Sequence, residues 1–180
     1  RDHKGYWEGR LERAGEFGLS LSNKEPKPGN VEKEGKEEKG VRRKHEKKNI
    51  DNLHYAAGSV NVLEIHGNSK WYRCIDCMSR WPNEEYEVSD IPATCNECGG
   101  LVKTDTVMFG EPIPRNVLER CFEEADRSDC MLVVGTSATV TPAASLPLIV
   151  RQNAGRLIEM NIRESEITYA CDVNVFAPSG

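Results

Sequence analysis

At 180 residues the chain can build one good core or two small ones. Its hydrophobic content of 38% with 7% aromatics is low for a globular domain, a deficit caused by the first fifty residues, and no apolar run approaches the ~20 residues needed to cross a bilayer. Residues 1–50 hold 14 Lys and Arg against 10 Asp and Glu, whereas the remainder hold 10 against 19, so the main body is acidic. An acidic body argues against a nucleic-acid-binding surface.

Arg1-Asp2-His3-Lys4 lacks the apolar stretch of a signal peptide. The chain does not begin with Met, as expected of a fragment, a processed product or an incomplete gene model. Seven cysteines, an odd number, point to a reducing, cytoplasmic setting, with Cys121, Cys130 and Cys171 expected as ordinary buried thiols.

In chain order, residues 1–16 carry Tyr6, Trp7 and Leu11 and read as a short helix. Residues 20–48 have almost no apolar side chains, two prolines and several glycines. Such a run cannot bury enough surface to offset its ordering entropy, so residues 1–48 are expected to be largely a poorly ordered, charged segment. From residue 49 the texture changes. Asn61–Ile65 reads as a strand ending at His66-Gly67, residues 71–103 as a small metal module, and Thr106–Phe109 as another strand.

Residues 114–127 form an amphipathic helix pattern with Val117, Leu118, Cys121, Phe122 and Ala125 on one face. Cys130-Met131-Leu132-Val133-Val134 is a continuous apolar run, typical of a strand covered on both faces in a parallel sheet. A helix over 142–153, a stop at Gly155, a strand over 156–161 and a loose closing strand over 172–175 follow. This alternation is the α/β pattern: a partial Rossmann-like parallel sheet with an inserted zinc-ribbon module.

The cysteines Cys74-x-x-Cys77 and Cys95-x-x-Cys98, with 17 residues between the pairs, are the sharpest signal. Each Cys-x-x-Cys turn aims two thiolates at one point, and two turns complete a tetrahedral sulfur shell. Gly99-Gly100 supplies a tight turn after the second pair. Disulfides or four unrelated buried thiols are the competing readings. With four ligands no coordination position stays open, so the zinc is structural.

Ligands of open parallel sheets bind at the carboxyl ends of strands. Three polar clusters are expected there on one sheet edge: His66, Gly135-Thr136-Ser137, and Asn161 with Arg163. Small hydroxyl residues beside glycine let backbone approach phosphate or ribose, and Asn and Arg offer donors to a nucleotide. A lone His is more often structural than catalytic, but between an apolar strand and a glycine its imidazole could take a proton from a sugar hydroxyl near neutral pH.

Residues 47–163 resemble the sirtuin family of NAD-dependent protein lysine deacylases. The resemblance rests on Asn49-Ile50-Asp51-Asn52-Leu53-His54 with Ala57-Gly58-Ser59, Leu63-Glu64-Ile65-His66-Gly67, the two Cys-x-x-Cys pairs with Gly99-Gly100, Val107-Met108-Phe109-Gly110-Glu111, Gly135-Thr136-Ser137 with Val140 and Pro142, and Asn161-Ile162-Arg163. It implies that residues 49–180 form a partial sirtuin-type catalytic domain that transfers an acyl group from lysine to ADP-ribose and releases nicotinamide. Asn49 and Asp51 would line the nicotinamide pocket, and His66 would be the general base. Val107, Met108, Phe109, Gly110 and Glu111 would hold an acylated-lysine protein substrate as an added strand. Gly135, Thr136 and Ser137 would face NAD phosphates and ribose, with Asn161 and Arg163 at the adenosine end.

The family's N-terminal strand and Gly-Ala-Gly-x-Ser loop have no counterpart in residues 1–50, and Lys48 stands where the family usually has Gln. Without that loop a diphosphate loses its main anion site, so the chain as it stands is expected to bind NAD weakly and turn over little. The alternative reading is a zinc-ribbon adaptor that holds peptides without reacting.

Overall fold

The computed structural model describes residues 2, 4–9, 45–47, 53–56 and 58–178. Among them are eight strands: β1 (His45–Lys47), β2 (Val62–Glu64), β3 (Gly67–Cys74), β4 (Arg80–Pro82), β5 (Val102–Thr106), β6 (Cys130–Val134), β7 (Arg156–Asn161) and β8 (Val173–Phe176).

The apolar run Cys130–Val134 does become a parallel strand. It pairs with β7 from Cys130 opposite Arg156 to Val134 opposite Met160, and β7 in turn pairs with β8 in parallel. The helix Arg115–Asp126 packs its apolar face on this side of the molecule. Cys121 and Ala125 from that helix, Leu146 and Val150 from the helix Leu146–Gln152, and Leu157 from β7 share one core with Leu63 and Ile65. Pro147 is accommodated because the first turn of a helix needs no N–H from it. The break after that helix needs Gly155: a Cβ there would stand 2.6 Å from Val150 Cγ1 and 2.8 Å from its carbonyl oxygen. The stretch expected as one helix over 142–153 divides, with a 3-10 turn at Ala143–Ser145 before the α-helix begins.

The metal module is an antiparallel ribbon in the order β4-β3-β5. It is longer than the 71–103 expected, because β3 begins at Gly67 and β5 runs to Thr106. Gly67 has φ +75, and a Cβ there would fall 1.9 Å from Asp105 O, so only glycine lets β3 leave the turn against β5. The second core lies here: Trp7, Cys74, Tyr86, Ala93, Cys95 and Val102.

Several expectations need correction. The strand read over Thr106–Phe109 lies earlier, at Val102–Thr106, because Met108–Glu111 forms a turn closed by Glu111 N–H to Met108 O at 2.9 Å. Residues 45–47, within the segment read as poorly ordered, form β1 and pair in parallel with β2, His45 opposite Val62. Cys130 is exposed rather than buried, and Cys171 is half-buried. The part of the charged segment over 20–44 lies outside the described residues.

Candidate functional site

The four cysteines converge. Their sulfurs all lie within 4.8 Å of one another, with Cys74 Sγ 3.6 Å from Cys98 Sγ and Cys77 Sγ 3.7 Å from Cys95 Sγ. Four thiolates each about 2.3 Å from one ion in a tetrahedron stand about 3.8 Å apart, so the cluster fits zinc closely. Each knuckle also turns backbone toward sulfur: Asp76 N–H to Cys74, Glu97 N–H to Cys95 and Gly100 N–H to Cys98, all at 3.4 Å.

The Cys77 thiol is lowered to about 6, first by the Ser79 hydroxyl. Cys98 is raised to about 12: the Gly100 N–H lowers it, but Cys77 and Cys74 raise it further. The two shifts have different causes: Ser79 favours the Cys77 thiolate, and the neighbouring sulfurs then hold Cys98 protonated. Adjacent thiolates cannot all ionise unless a cation shares them.

Beside the ribbon sits a buried charge network that sequence reading did not find. Arg73, only 5% exposed, lies 2.9 Å through Nε from Asp105 Oδ1, though its N–H points off that line and the contact is charge–charge rather than a directed hydrogen bond. Arg73 Nη2 lies 3.3 Å from Glu111 Oε1, and Lys103 Nζ lies 3.2 Å from Glu111 Oε2. Arg80 reaches Asp105 at 2.5 Å and Glu64 at 3.5 Å, and Glu64 accepts from Asn68 Nδ2 at 2.7 Å. Burial pushes Lys103 below its ordinary value, with Glu111 opposing. Three cations face three carboxylates, so the network is neutral as a unit. Charged residues in strands usually read as solvated, so no sequence signal marked these as inward-facing. Arg73 beside Cys74, and Lys103 and Asp105 in one short strand, were the only hints.

His66 occupies the turn between β2 and β3, half-buried, and its carbonyl accepts the Val107 N–H at 3.0 Å. That bond fixes the proposed base beside the proposed peptide segment. Val107 and Met108 are non-helical and unpaired in any strand, Phe109 and Gly110 turn the chain, and Phe109 is 94% exposed. Glu111 points inward instead of lining an open strand: its carboxylate accepts the Met108 N–H at 3.0 Å as well as the two cations.

The Gly-Thr-Ser segment and Asn161 do meet at the carboxyl ends of β6 and β7. Gly135, at φ +60, donates to Met160 O at 3.0 Å, Asn161 Nδ2 donates to Thr136 O at 2.8 Å, and Glu166 N–H reaches Ser137 O at 3.1 Å. Below them Glu159, fully buried, accepts from the hydroxyls of Ser165 and Thr168. Arg163 is exposed. His66 is not on this sheet edge, contrary to expectation: among the described residues β2 pairs with β1 and not with β6. Asn49 and Asp51 lie outside the described residues.

The Sir2 family model matches residues 31–142. An NAD-dependent protein deacetylase of Caldivirga maquilingensis is 39% identical over 176 residues, spanning 96% of this chain and 66% of the relative. An NAD-dependent protein deacylase of Thermococcus kodakarensis is 40% identical over 163 residues, spanning 87% and 63%. The chain thus covers just under two thirds of these relatives. Among solved structures, a Sir2 homolog–NAD complex aligns with TM-score 0.80 at 37% identity over 89% of this chain and 62% of that one. Sir2Tm bound to a propionylated peptide aligns with TM-score 0.81 at 30% identity over 96% and 76%. With its cysteine cluster, its His66 turn and its β6–β7 loops in place, this chain belongs to the Sir2, or sirtuin, family.

Proposed function

We propose that the chain acts in NAD-dependent removal of acyl groups from protein lysine, a transferase reaction that passes the acyl group to ADP-ribose. The observation that carries this reading is the bond between His66 O and Val107 N–H, which holds a candidate base and a candidate peptide segment side by side. NAD, when bound, supplies an electrophilic ribose carbon with nicotinamide as its leaving group. Gly135, Thr136, Ser137 and Asn161 would hold it through backbone and side-chain donors, with Arg163 at the adenosine end and Asn49 and Asp51 at the nicotinamide end.

The residues present divide the work. Val107 and Phe109 offer backbone groups that orient an extended acyl-lysine peptide. The His66 imidazole would take a proton from a ribose hydroxyl, readying that oxygen to receive the acyl group as the lysine amine departs. Cys74, Cys77, Cys95 and Cys98 would hold a zinc that takes part in no step and that would fix the ribbon whose strand β5 leads into the peptide segment. One similar structure is a complex with NAD and another is bound to a propionylated peptide, which supports both ligands here. Four metal-binding thiolates that must stay reduced support a cytoplasmic setting. No helix among the described residues is long and apolar enough to cross a membrane.

The test is nicotinamide release that depends on both NAD and an acyl-lysine peptide. It is run on the chain itself and on a chimera in which a relative's Gly-rich N-terminal segment precedes residue 1. Turnover in the chimera supports the enzyme. Peptide binding without turnover in either protein gives the adaptor reading instead.

A further inference from the structure

We propose that Glu111 is the positioning residue of the peptide segment, and that Arg73 and Lys103 hold it in place, so that the zinc ribbon sets which backbone groups a substrate can reach. The inference rests on the acyl-lysine reading above. The segment Val107–Glu111 is tied at both ends to different parts of the fold. At one end Val107 N–H binds the His66 carbonyl at 3.0 Å. At the other, one carboxylate closes the turn and anchors it to the ribbon. Glu111 Oε2 accepts the Met108 N–H at 3.0 Å and lies 3.2 Å from Lys103 Nζ, while Oε1 lies 3.3 Å from Arg73 Nη2.

Two consequences follow from this arrangement. Both backbone polar groups of Met108 are used within the turn, since its carbonyl accepts from Glu111 N–H at 2.9 Å. An added peptide strand therefore has the Val107 carbonyl and the Phe109 groups to pair with, and finds the Met108 N–H already taken. Register is specified, because slipping an added strand by one residue would turn every side chain to the other face. The turn also reports on the metal module. Arg73 directly precedes the ligand Cys74, and Lys103 directly follows Val102, whose strand pairs with Cys74. Glu111 is 12% exposed at its side chain and Arg73 6%, so the bonds act where solvent screens little.

The experiment uses the full chain loaded with zinc. Amide exchange is followed at Met108 and Val107 by NMR, and affinity for a fluorescent acyl-lysine peptide by anisotropy. Protection is expected at both amides in the parent protein. Glu111→Ala should expose the Met108 amide, leave Val107 protected, and weaken peptide binding by at least about tenfold, the loss expected for a hydrogen bond to a charged group. Glu111→Gln, whose amide oxygen can still accept the Met108 N–H, should recover most of that affinity. Zinc content should stay unchanged in both variants. If Glu111→Ala fails to fold and loses zinc, Glu111→Gln decides: a Met108 amide that exchanges freely there overturns the inference. Unchanged peptide affinity in Glu111→Ala, with Met108 exposed, overturns the inference and leaves the functional reading standing. A parent chain that binds no acyl-lysine peptide overturns the functional reading, and this inference with it.

Discussion

The indole N–H of Trp7 donates to the carbonyl of Val102 at 2.9 Å, joining a helix at the start of the described chain to a strand of the zinc ribbon 95 residues later. Trp7 is 1% exposed, its ring tilts against Tyr72 at 5.4 Å between centroids, and Tyr6 hydrogen-bonds Thr104 at 2.9 Å. Residues 4–9 therefore belong to the core of the metal module. Trp7→Ala should cost about 3–5 kcal/mol, the range for removing a large buried aromatic, and leave the Val102 carbonyl unpaired. Urea unfolding of the zinc-loaded protein checks this, and a loss below about 1 kcal/mol would show that the helix is dispensable.

Zinc content is the second expectation. Metal analysis should give about one zinc per chain, because four sulfurs already stand near tetrahedral spacing. Cys95→Ser should release the metal and lower stability by several kcal/mol, since binding free energy in such sites is also folding free energy. Replacing all four ligands by serine without changing the metal content would refute the assignment.

The parts of this fold legible in the sequence are those where one physical cause dominates. Cysteine spacing alone predicts the knuckles, because metal geometry admits few alternatives. The β6 run is legible as a parallel strand from its unbroken apolar residues, but the cover expected on both faces is not found, since Cys130 and Leu132 are exposed. Thr106–Phe109 misleads for the opposite reason. Its apolar residues look like a strand, but Gly110 at φ +72 and the Glu111 carboxylate bend the chain into a turn. β3 was hidden because its first residues, Gly67-Asn68-Ser69-Lys70, are polar, although Gly67 and Asn68 are buried. Asn68 earns that place by donating to Glu64 and accepting the Lys70 N–H at 2.9 Å. The charge network was illegible since each member's partner lies on another strand, and nothing in a local window pairs them.

Acid sensitivity should depend on Asp172. Its carboxyl is lowered to about 2, first by the Leu157 N–H, which donates at 2.9 Å, and next by Arg156 at 2.7 Å. A carboxylate whose folded value lies below its unfolded one stabilises the fold above the unfolded value and loses that contribution as pH falls through the folded value. The window is therefore from about pH 4 down to about pH 2. Asp172→Asn should flatten the stability curve there relative to the parent while changing its slope little near neutrality. Measuring both proteins together separates this from zinc loss, which acid causes in each. Parallel curves across the window would remove Asp172 as the cause.

The charge network should fail when broken on one side. Asp105 is 5% exposed and faces buried Arg73 as well as the partly exposed Arg80, so Asp105→Asn leaves the Arg73 guanidinium with reduced compensation in a buried setting. Loss of one partner of a buried pair costs about 3–5 kcal/mol, and thermal unfolding should report it. Asp105→Asn combined with Arg73→Met should recover part of the loss, since removing both charges avoids the unpaired one. A double variant no better than the single would show that the pairs are not energetically coupled.

His66→Ala separates catalysis from packing. The half-buried side chain at the β2–β3 turn is not among the core residues, while the structural bond at this position runs through its backbone carbonyl to Val107 N–H at 3.0 Å, which alanine retains. Zinc content, melting temperature and acyl-peptide affinity should therefore stay close to the parent. Nicotinamide release by the chimera should fall by about 10²–10⁴-fold, the usual contribution of a positioned general base. Binding and turnover lost together would mean that the imidazole shapes the site rather than moving a proton. Turnover retained in full would remove His66 from the chemistry and leave the peptide segment without a base beside it.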